Sequence, residues 1–331
     1  MRVLVTGTSG LLGGAVAREI AQRGHVVCTF QRRPSGLVGI VDGVEDLLGS
    51  VTDPAAVARA VEGVDAIVHL AAKVSLAGDP GDFVRVNVDG TRTLLASARA
   101  AGVPRLVFVS SPSVAHAGAS IMGDDARPAD PGHARGDYAR TKAEAELLAL
   151  AADSPELRVV AVRPHLVWGP GDTQLVARVV DRARRGRLPL LGHGAALIDS
   201  IYIDNAASAI AAALHRVDSV HGQSFVLTNG EPRPIAELLA GMCAAAGVPA
   251  PRWRVPAAVA RAAGALVESV WTALPGQDEP PMTRFLAEQL STAHWFDQRR
   301  TRDALQWEPA VSLDEGFRRL AVSYGTVPDR G

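Results

Sequence analysis

The sequence predicts a doubly wound α/β fold, a parallel sheet with helices on both faces, followed by a smaller C-terminal lobe. Three observations carry this. Short β-branched runs alternate with longer amphipathic segments from Arg2 to about Pro164. The short runs are apolar enough to be covered on both faces. After Gly169-Pro170-Gly171 the alternation loosens into helices and short strands, with Pro, Gly and Trp scattered through residues 230–310. A chain of 331 residues holds about two domain equivalents, so residues 1–170 are assigned to the sheet domain and 171–331 mainly to the lobe, with about 200–215 returning to the sheet's core.

Taken in order, the predicted strands are Arg2–Thr6, Val26–Phe30, Ala66–Leu70, Leu106–Ser110 and Val159–Val162. Leu11–Arg23 reads as a helix closed by Gly24. Asp53-Pro54 supplies an N-cap followed by proline at the first helical position. A helix opens near Tyr138 and runs to Ala152. Pro256–Leu274 is amphipathic and Ala-rich, a helix packing into the lobe, with a reversible membrane-surface contact as the minority reading. Near the end, Ser312-Leu-Asp-Glu315 is a capping box in which hydroxyl and carboxylate reciprocally satisfy amides of a helix reaching about Tyr324.

Composition removes several function classes. Lys+Arg 34 against Asp+Glu 35 gives a net charge of -1, and no basic stripe is present to neutralise a row of phosphates, so nucleic acid is not an expected partner. Cys28 and Cys243 have neither disulfide nor zinc spacing, which fits a reducing cytoplasm. The longest uncharged stretch, Leu106–Gly123, carries four serines, a proline, a histidine and two glycines, so no membrane span is expected. Thr6–Gly10 interrupts the apolar N-terminus too early for a targeting segment. No His, Cys, Asp and Glu group has metal-ligand spacing, and no metal is expected.

The first motif with chemistry in it is Gly7-x-x-Gly10-x-x-Gly13, between the first strand and the first helix. Gly7 makes the tight turn, Gly10 lets backbone approach a pyrophosphate, and Gly13 lets helix pack on sheet; Ser9, Leu11 and Leu12 belong to the same turn. A bound anion then sits at the helix N-terminus. The sheet is therefore Rossmann-like and dinucleotide-binding. The second strand ends in Gln31-Arg32-Arg33 with no carboxylate to meet an adenosine ribose, and a guanidinium is shaped for bidentate phosphate recognition. NADP(H) is therefore predicted over NAD(H).

The second motif is Tyr138-x-x-x-Lys142, one helical turn apart on one face. Lys73 and Lys142 are the only lysines, and three tyrosines with two lysines give about 0.02 chance pairings at this spacing. A lysine beside a phenol is expected to lower the phenol's pKa towards the working range. Ser110, Ser111 and Ser113 stand at the C-terminal end of a parallel strand, the side on which ligands of such sheets bind.

Together these features resemble the short-chain dehydrogenase/reductase superfamily, specifically its extended branch, over almost the whole chain. The resemblance implies that Ser111, Tyr138 and Lys142 are catalytic. It implies that His69-Leu70-Ala71-Ala72, with Lys73, lies beside the cofactor, and that Arg163-Pro164-His165-Leu166-Val167-Trp168 is the nicotinamide-side turn, with Pro164, His165 and Val167 touching it. Leu305-Gln-Trp307-Glu-Pro309 is similar to the family's C-terminal signature. One departure stands out: Ser50, beside Val51, replaces an acidic residue often found near the adenine.

Within this branch, sugar-nucleotide epimerases and dehydratases place an arginine where this chain has Ile198, and the segment Leu190–Ile198 is strongly apolar. The pattern resembles the 3β-hydroxysteroid dehydrogenase-like group, which includes reductases of 2-alkyl-3-oxo acids. This implies reversible hydride transfer on a hydrophobic 3-oxo or 3β-hydroxy substrate. A sugar-nucleotide enzyme with bound NAD and a non-catalytic dinucleotide sensor are the alternatives. Candidate substrate contacts are Ser113, Val114, His116, His165, Trp168, Tyr202 and Met282. The resemblance also implies a homodimer through the Tyr138 helix and the segment Pro80–Ala101.

Overall fold

A computed structural model describes residues 1–75, 78–116, 118–273, 288 and 290–327. Seven parallel strands form the main sheet: β1 (Arg2–Thr6), β2 (Val26–Gln31), β3 (Val44–Leu48), β4 (Ala66–His69), β5 (Arg105–Val109), β6 (Arg158–Pro164) and β7 (Ser224–Leu227). Their spatial order is 7-6-5-4-1-2-3, so the chain reverses direction across the sheet between β1 and β4. A crevice opens at that point beyond the strands' C-terminal ends, and there the candidate residues collect.

Both faces of the sheet are covered. Val3, Val5, Val107 and Val160 pack against Val16 and Ile20 of the Leu11–Gln22 helix and against Ile210, Leu214 and Val217 of the Ile203–Val220 helix. Leu4, Ile67, Leu106 and Val159 pack on the other side against Val57, Leu94, Ala145 and Ala149. Residues beyond 200 thus complete the sheet, supplying one covering helix and the edge strand β7. Asp53 caps the Pro54–Ala60 helix, its carboxylate accepting from the amides of Ala55 and Ala56.

Strands β3 and β7 were not among the predicted five. Both are edge strands: β3 reads Val-Glu-Asp-Leu-Leu, buries only Val44 and leaves Leu48 exposed, so neither signature of a central strand is present. The capping box at Ser312 is half formed. Its hydroxyl accepts from the Glu315 amide at 3.2 Å, while the Glu315 carboxylate turns to Arg318 and Arg319, which outbid a backbone amide by charge.

The lobe has its own core, in which Trp168, Val180, Ile198, Tyr202, Leu238, Met242, Leu313 and Leu320 meet. A four-stranded sheet joins it to the crevice, with Arg233–Pro234, Leu197–Ile198, His294–Phe296 and Ile121–Asp124 side by side. Among the described residues no helix is long and apolar enough to cross a membrane.

Candidate active site

The glycine turn closes on itself by backbone contacts alone. Gly7 has φ +79°, and a Cβ there would stand 2.8 Å from the Ala71 nitrogen; a Cβ on Gly13 would stand 2.3 Å from the Gly7 oxygen. At Gly10 a Cβ would meet only the Gly7 oxygen, at 3.4 Å, so that position is open on its outer side. The helix that starts at Leu11 has no side-chain cap. An uncapped helix start behind a bare backbone turn fits a pyrophosphate.

A hub of small polar groups fixes β4 beside this turn. The Thr6 hydroxyl accepts from the amides of Leu70 and Ala71, so its single proton goes to His69 Nδ1 at 2.8 Å. His69 Nε2 then donates to Thr91 Oγ1 at 3.1 Å, whose own proton goes to the Asn87 carbonyl. The imidazole is therefore neutral, and burial, aided by the Lys142 charge, lowers its pKa to about 3. Asn87 lies in a π-helical turn, Val84–Asp89. Its side chain holds the backbone of Lys73 on one side and Thr141 Oγ1, one residue from Lys142, on the other. No sequence signal marked Asn87, because a π-turn has no hydrophobic period of its own, nor Thr6 and Thr91, whose hydroxyls meet His69 only once the fold brings β1, β4 and the Gly90–Ala100 helix together.

At the β2 end, Gln31 is buried and accepts from the Thr8 hydroxyl of the glycine turn, while Arg32 and Arg33 are exposed with no ion pair among the described residues. A carboxylate does approach this strand end: Asp46 of β3 accepts from Thr29, Gln31 and the Ser35 amide. Those hydrogen bonds hold its pKa below the ordinary range against burial. The expectation of no carboxylate there is thus corrected. β3 brings one in from the neighbouring edge, and its lone pairs are engaged by Thr29 and Gln31 of β2 and by the Ser35 amide of the loop that carries Arg32 and Arg33. Ser50 bonds Thr52 within its own turn, and Val51 packs against Gly90.

Ser111, Tyr138 and Lys142 come together across β5 and the Gly136–Ala151 helix. Ser113 donates its hydroxyl to Ser111 Oγ at 3.0 Å, leaving the Ser111 proton to turn to the Tyr138 phenol, with which it is hydrogen-bonded. Lys142 is 3 % exposed, donates to the Val109 carbonyl at 2.7 Å and lies 4.3 Å above the Phe108 ring. Burial lowers its pKa to about 8, opposed by the Glu146 charge. The phenol departs from expectation: burial raises the Tyr138 pKa, and only the Ser111 hydrogen bond pulls it down. The ammonium is tied to the strand-end carbonyl, so desolvation decides the direction.

The substrate candidates separate into two groups. His116 and His165 are buried at the crevice and join a histidine that the sequence reading missed, His294. His116 Nε2 and His294 Nε2 are 2.9 Å apart, and His165 hydrogen-bonds the Asp199 carbonyl through Nδ1. Burial keeps all three below the ordinary range, His165 at about 4 and His294 at about 2. Among the described residues no three His, Cys, Asp or Glu side chains are arranged to hold a metal ion.

Trp168 and Tyr202, expected at the crevice rim, are instead in the lobe core, 0 % and 2 % exposed. The indole stacks on Phe317 at 4.6 Å, donates to Ser200 and meets Tyr202 edge-on. Gly316 gives this packing its room, so the aromatics face inward. Val114 is fully buried under the Ser111 turn and Ser113 serves Ser111, so neither lines open space. Met282 lies outside the described residues. At the end of β6, Arg163 is 1 % exposed and pairs with buried Glu146, while the Pro164 and His165 backbones still bond β7, and Val167, in the turn beyond, pairs with Ile201.

Residues 3–228 match the NAD dependent epimerase/dehydratase family. The chain is 42 % identical over 329 residues to a 2-alkyl-3-oxoalkanoate reductase of Stenotrophomonas maltophilia, covering 98 % of this chain and 99 % of that protein. It is 32 % identical over 338 residues to a 3 beta-hydroxysteroid dehydrogenase/Delta 5-->4-isomerase of Mycobacterium tuberculosis, covering 98 % and 90 %. Among solved structures, a dTDP-glucose 4,6-dehydratase double mutant from Streptomyces venezuelae, with NAD bound, superposes with TM-score 0.75 at 25 % identity, covering 98 % and 97 %. The chain belongs to the NAD dependent epimerase/dehydratase family and is an oxidoreductase of the extended short-chain dehydrogenase/reductase branch.

Proposed function

We propose that this enzyme interconverts a ketone and a secondary alcohol on a hydrophobic 3-oxo or 3-hydroxy substrate, with NADP(H) as its redox partner. The observation that carries the reading is the hydroxyl chain Ser113 to Ser111 to Tyr138 beside the buried Lys142 ammonium. The turn of Gly7, Gly10 and Gly13 would hold the pyrophosphate, Arg32 and Arg33 a 2′-phosphate, and the ends of β4 and β6 the nicotinamide half. When bound, the dinucleotide supplies or takes the hydride.

Tyr138 handles the proton. Because burial raises its pKa, the phenol stays protonated at neutral pH and is ready to give its proton to an alkoxide forming at the substrate oxygen. Ser111, fixed by Ser113, hydrogen-bonds the same oxygen. Lys142, its ammonium held to the Val109 carbonyl one turn from the phenol, would hold a ribose hydroxyl of the dinucleotide. Against a sugar-nucleotide substrate stands Ile198, 1 % exposed, where a diphosphate would need a guanidinium.

The test is NADPH and NADH in parallel against a 2-alkyl-3-oxo acid, a 3-oxosteroid and a UDP-sugar. The reading expects NADPH oxidation by a lipophilic ketone. Silence on the ketones, with the UDP-sugar isomerised and no net cofactor consumed, would overturn it.

A further inference from the structure

The end of β2 holds a charged group that the proton-handling site does not use. Asp46 stands on the neighbouring strand β3, opposite Thr29 in the parallel pairing. One of its oxygens accepts from Thr29 Oγ1 and, at 3.3 Å, from Gln31 Nε2; the other accepts from the Ser35 amide at 2.9 Å. The Ser35 hydroxyl is hydrogen-bonded to the same carboxylate. Burial pushes the carboxyl's pKa up and these bonds outweigh it, so the group stays ionised.

A carboxylate only accepts, so it orders the protons around it. Thr29 must donate to Asp46, which leaves the Thr29 oxygen to accept from Gln31 Nε2 at 2.9 Å. Gln31 Oε1 is thereby turned towards the glycine turn, where it accepts from the Thr8 hydroxyl. On the far side, the Ser35 hydroxyl accepts from the amide of Leu37, which is buried in the core. One charge thus pins both ends of the turn from Gln31 to Ser35 and links it, through Gln31 and Thr8, to the turn of Gly7 and Gly10. Between the pins Arg32, Arg33 and Pro34 are exposed. Pro34 narrows its own backbone and that of Arg33 further.

At the end of a second strand a carboxylate ordinarily accepts from the adenosine ribose, which disfavours an added 2′-phosphate. Asp46 is turned the other way, its oxygens engaged by β2 and by the turn. Free arginines must be ordered before they can grip a phosphate, and a turn already fixed at both ends removes the backbone share of that loss. The link to the glycine turn matters for the same reason, since one dinucleotide must meet both turns at once. We propose that Asp46 is a positioning residue: by pinning Gln31 and Ser35 it presents Arg32 and Arg33 to a 2′-phosphate, so that a carboxylate placed where it could select against NADP(H) serves to select it. This rests on the proposed assignment of the two arginines to that phosphate and adds the residue that makes them effective.

The experiment measures Kd of the full chain for adenosine 2′,5′-bisphosphate and for 5′-AMP, which differ only in the 2′-phosphate. The wild type is expected to favour the bisphosphate by at least about 10-fold, the size of one charge-assisted hydrogen bond. Asp46→Asn keeps the shape but cannot accept from Thr29, Gln31 and Ser35 together, and should bring that ratio down towards one with Kd for 5′-AMP little changed. Ser35→Ala, which removes one hydroxyl and leaves the amide, should lower the ratio by a smaller factor. In an Arg32→Gln/Arg33→Gln background Asp46→Asn should leave the ratio as it finds it, because it acts through those arginines. The sign is decisive: a carboxylate that bound ribose or merely repelled phosphate would give a ratio that rises in Asp46→Asn. A rise, an unmoved ratio in both single variants, equal weakening of both ligands, or a further fall in the glutamine background overturns the positioning role and leaves the phosphate assignment standing. A wild-type ratio near one overturns the phosphate assignment, and the positioning role with it.

Discussion

The two ends of the crevice are made of different materials. At the glycine turn the contacts are backbone and short polar side chains: Gly7 against Ala71, Gly13 against Gly7, and Thr6 shared between two amides and His69. Towards the lobe they are long or titratable side chains from distant segments, as in Arg135 with Glu288 and His116 with His294. Backbone shape is nearly all-or-none, because a methyl group either fits or displaces main chain. Side-chain chemistry is graded, because an arginine or histidine can be replaced and the change read as a ratio.

The sharpest way to break that contrast is Gly13→Ala. The added Cβ meets the Gly7 oxygen at 2.3 Å and Thr8 Cα at 2.9 Å, both main chain, so the turn must move. Dinucleotide affinity is expected to fall roughly 100-fold, the scale on which a displacement near 1 Å acts. Isothermal titration that finds unchanged affinity would show the turn to be as adaptable as the side towards the lobe. A smaller effect belongs to Arg32→Asp, which alters a side chain without moving backbone. KM for NADPH should rise about 10- to 100-fold, one or two charge-assisted hydrogen bonds, with KM for NADH little changed. Equal effects on both cofactors would remove Arg32 from phosphate recognition.

A third effect, of a different kind, is in stability against pH. His69, His165 and His294 have folded-state pKa values of about 3, 4 and 2, all depressed by burial, against an ordinary value of 6.5. Below pH 6.5 the unfolded chain binds protons that the folded chain refuses, so stability falls with pH by about 1.4 kcal/mol per unit for each histidine. Asp199, raised to about 6, works in the opposite sense between about 6 and 4 and offsets part of one histidine. Chemical denaturation at pH 7, 6 and 5 should show a declining midpoint. Because two of the three histidines lie at the lobe seam, amide exchange in His294–Phe296 should accelerate before exchange in β1. A flat midpoint, or β1 opening first, would contradict this distribution.

The same contrast explains what was legible in the sequence. The glycine spacing and the Tyr138–Lys142 pair are local patterns, each written within one turn or one helix, so they can be read without the fold. The five apolar strands were readable for the same reason. Asp46 was not: it reaches the end of β2 only because β3 pairs there, and β3 is a polar edge strand. Nor was His294, which meets His116 from 178 residues away. Trp168 and Tyr202 were misplaced because an aromatic near a crevice motif reads alike whether it faces ligand or core, and Gly316 and Phe317, more than 100 residues on, decide that here.

The central claim is that Tyr138 handles the proton while the backbone turn independently holds the dinucleotide, and Tyr138→Phe tests it most directly. Turnover of a 3-oxo acid with NADPH and the Kd for NADPH are measured on the same preparation. The account predicts a kcat lower by about 10²- to 10⁴-fold, the usual contribution of a positioned acid, with Kd changed less than about twofold. Turnover that survives the substitution would contradict it.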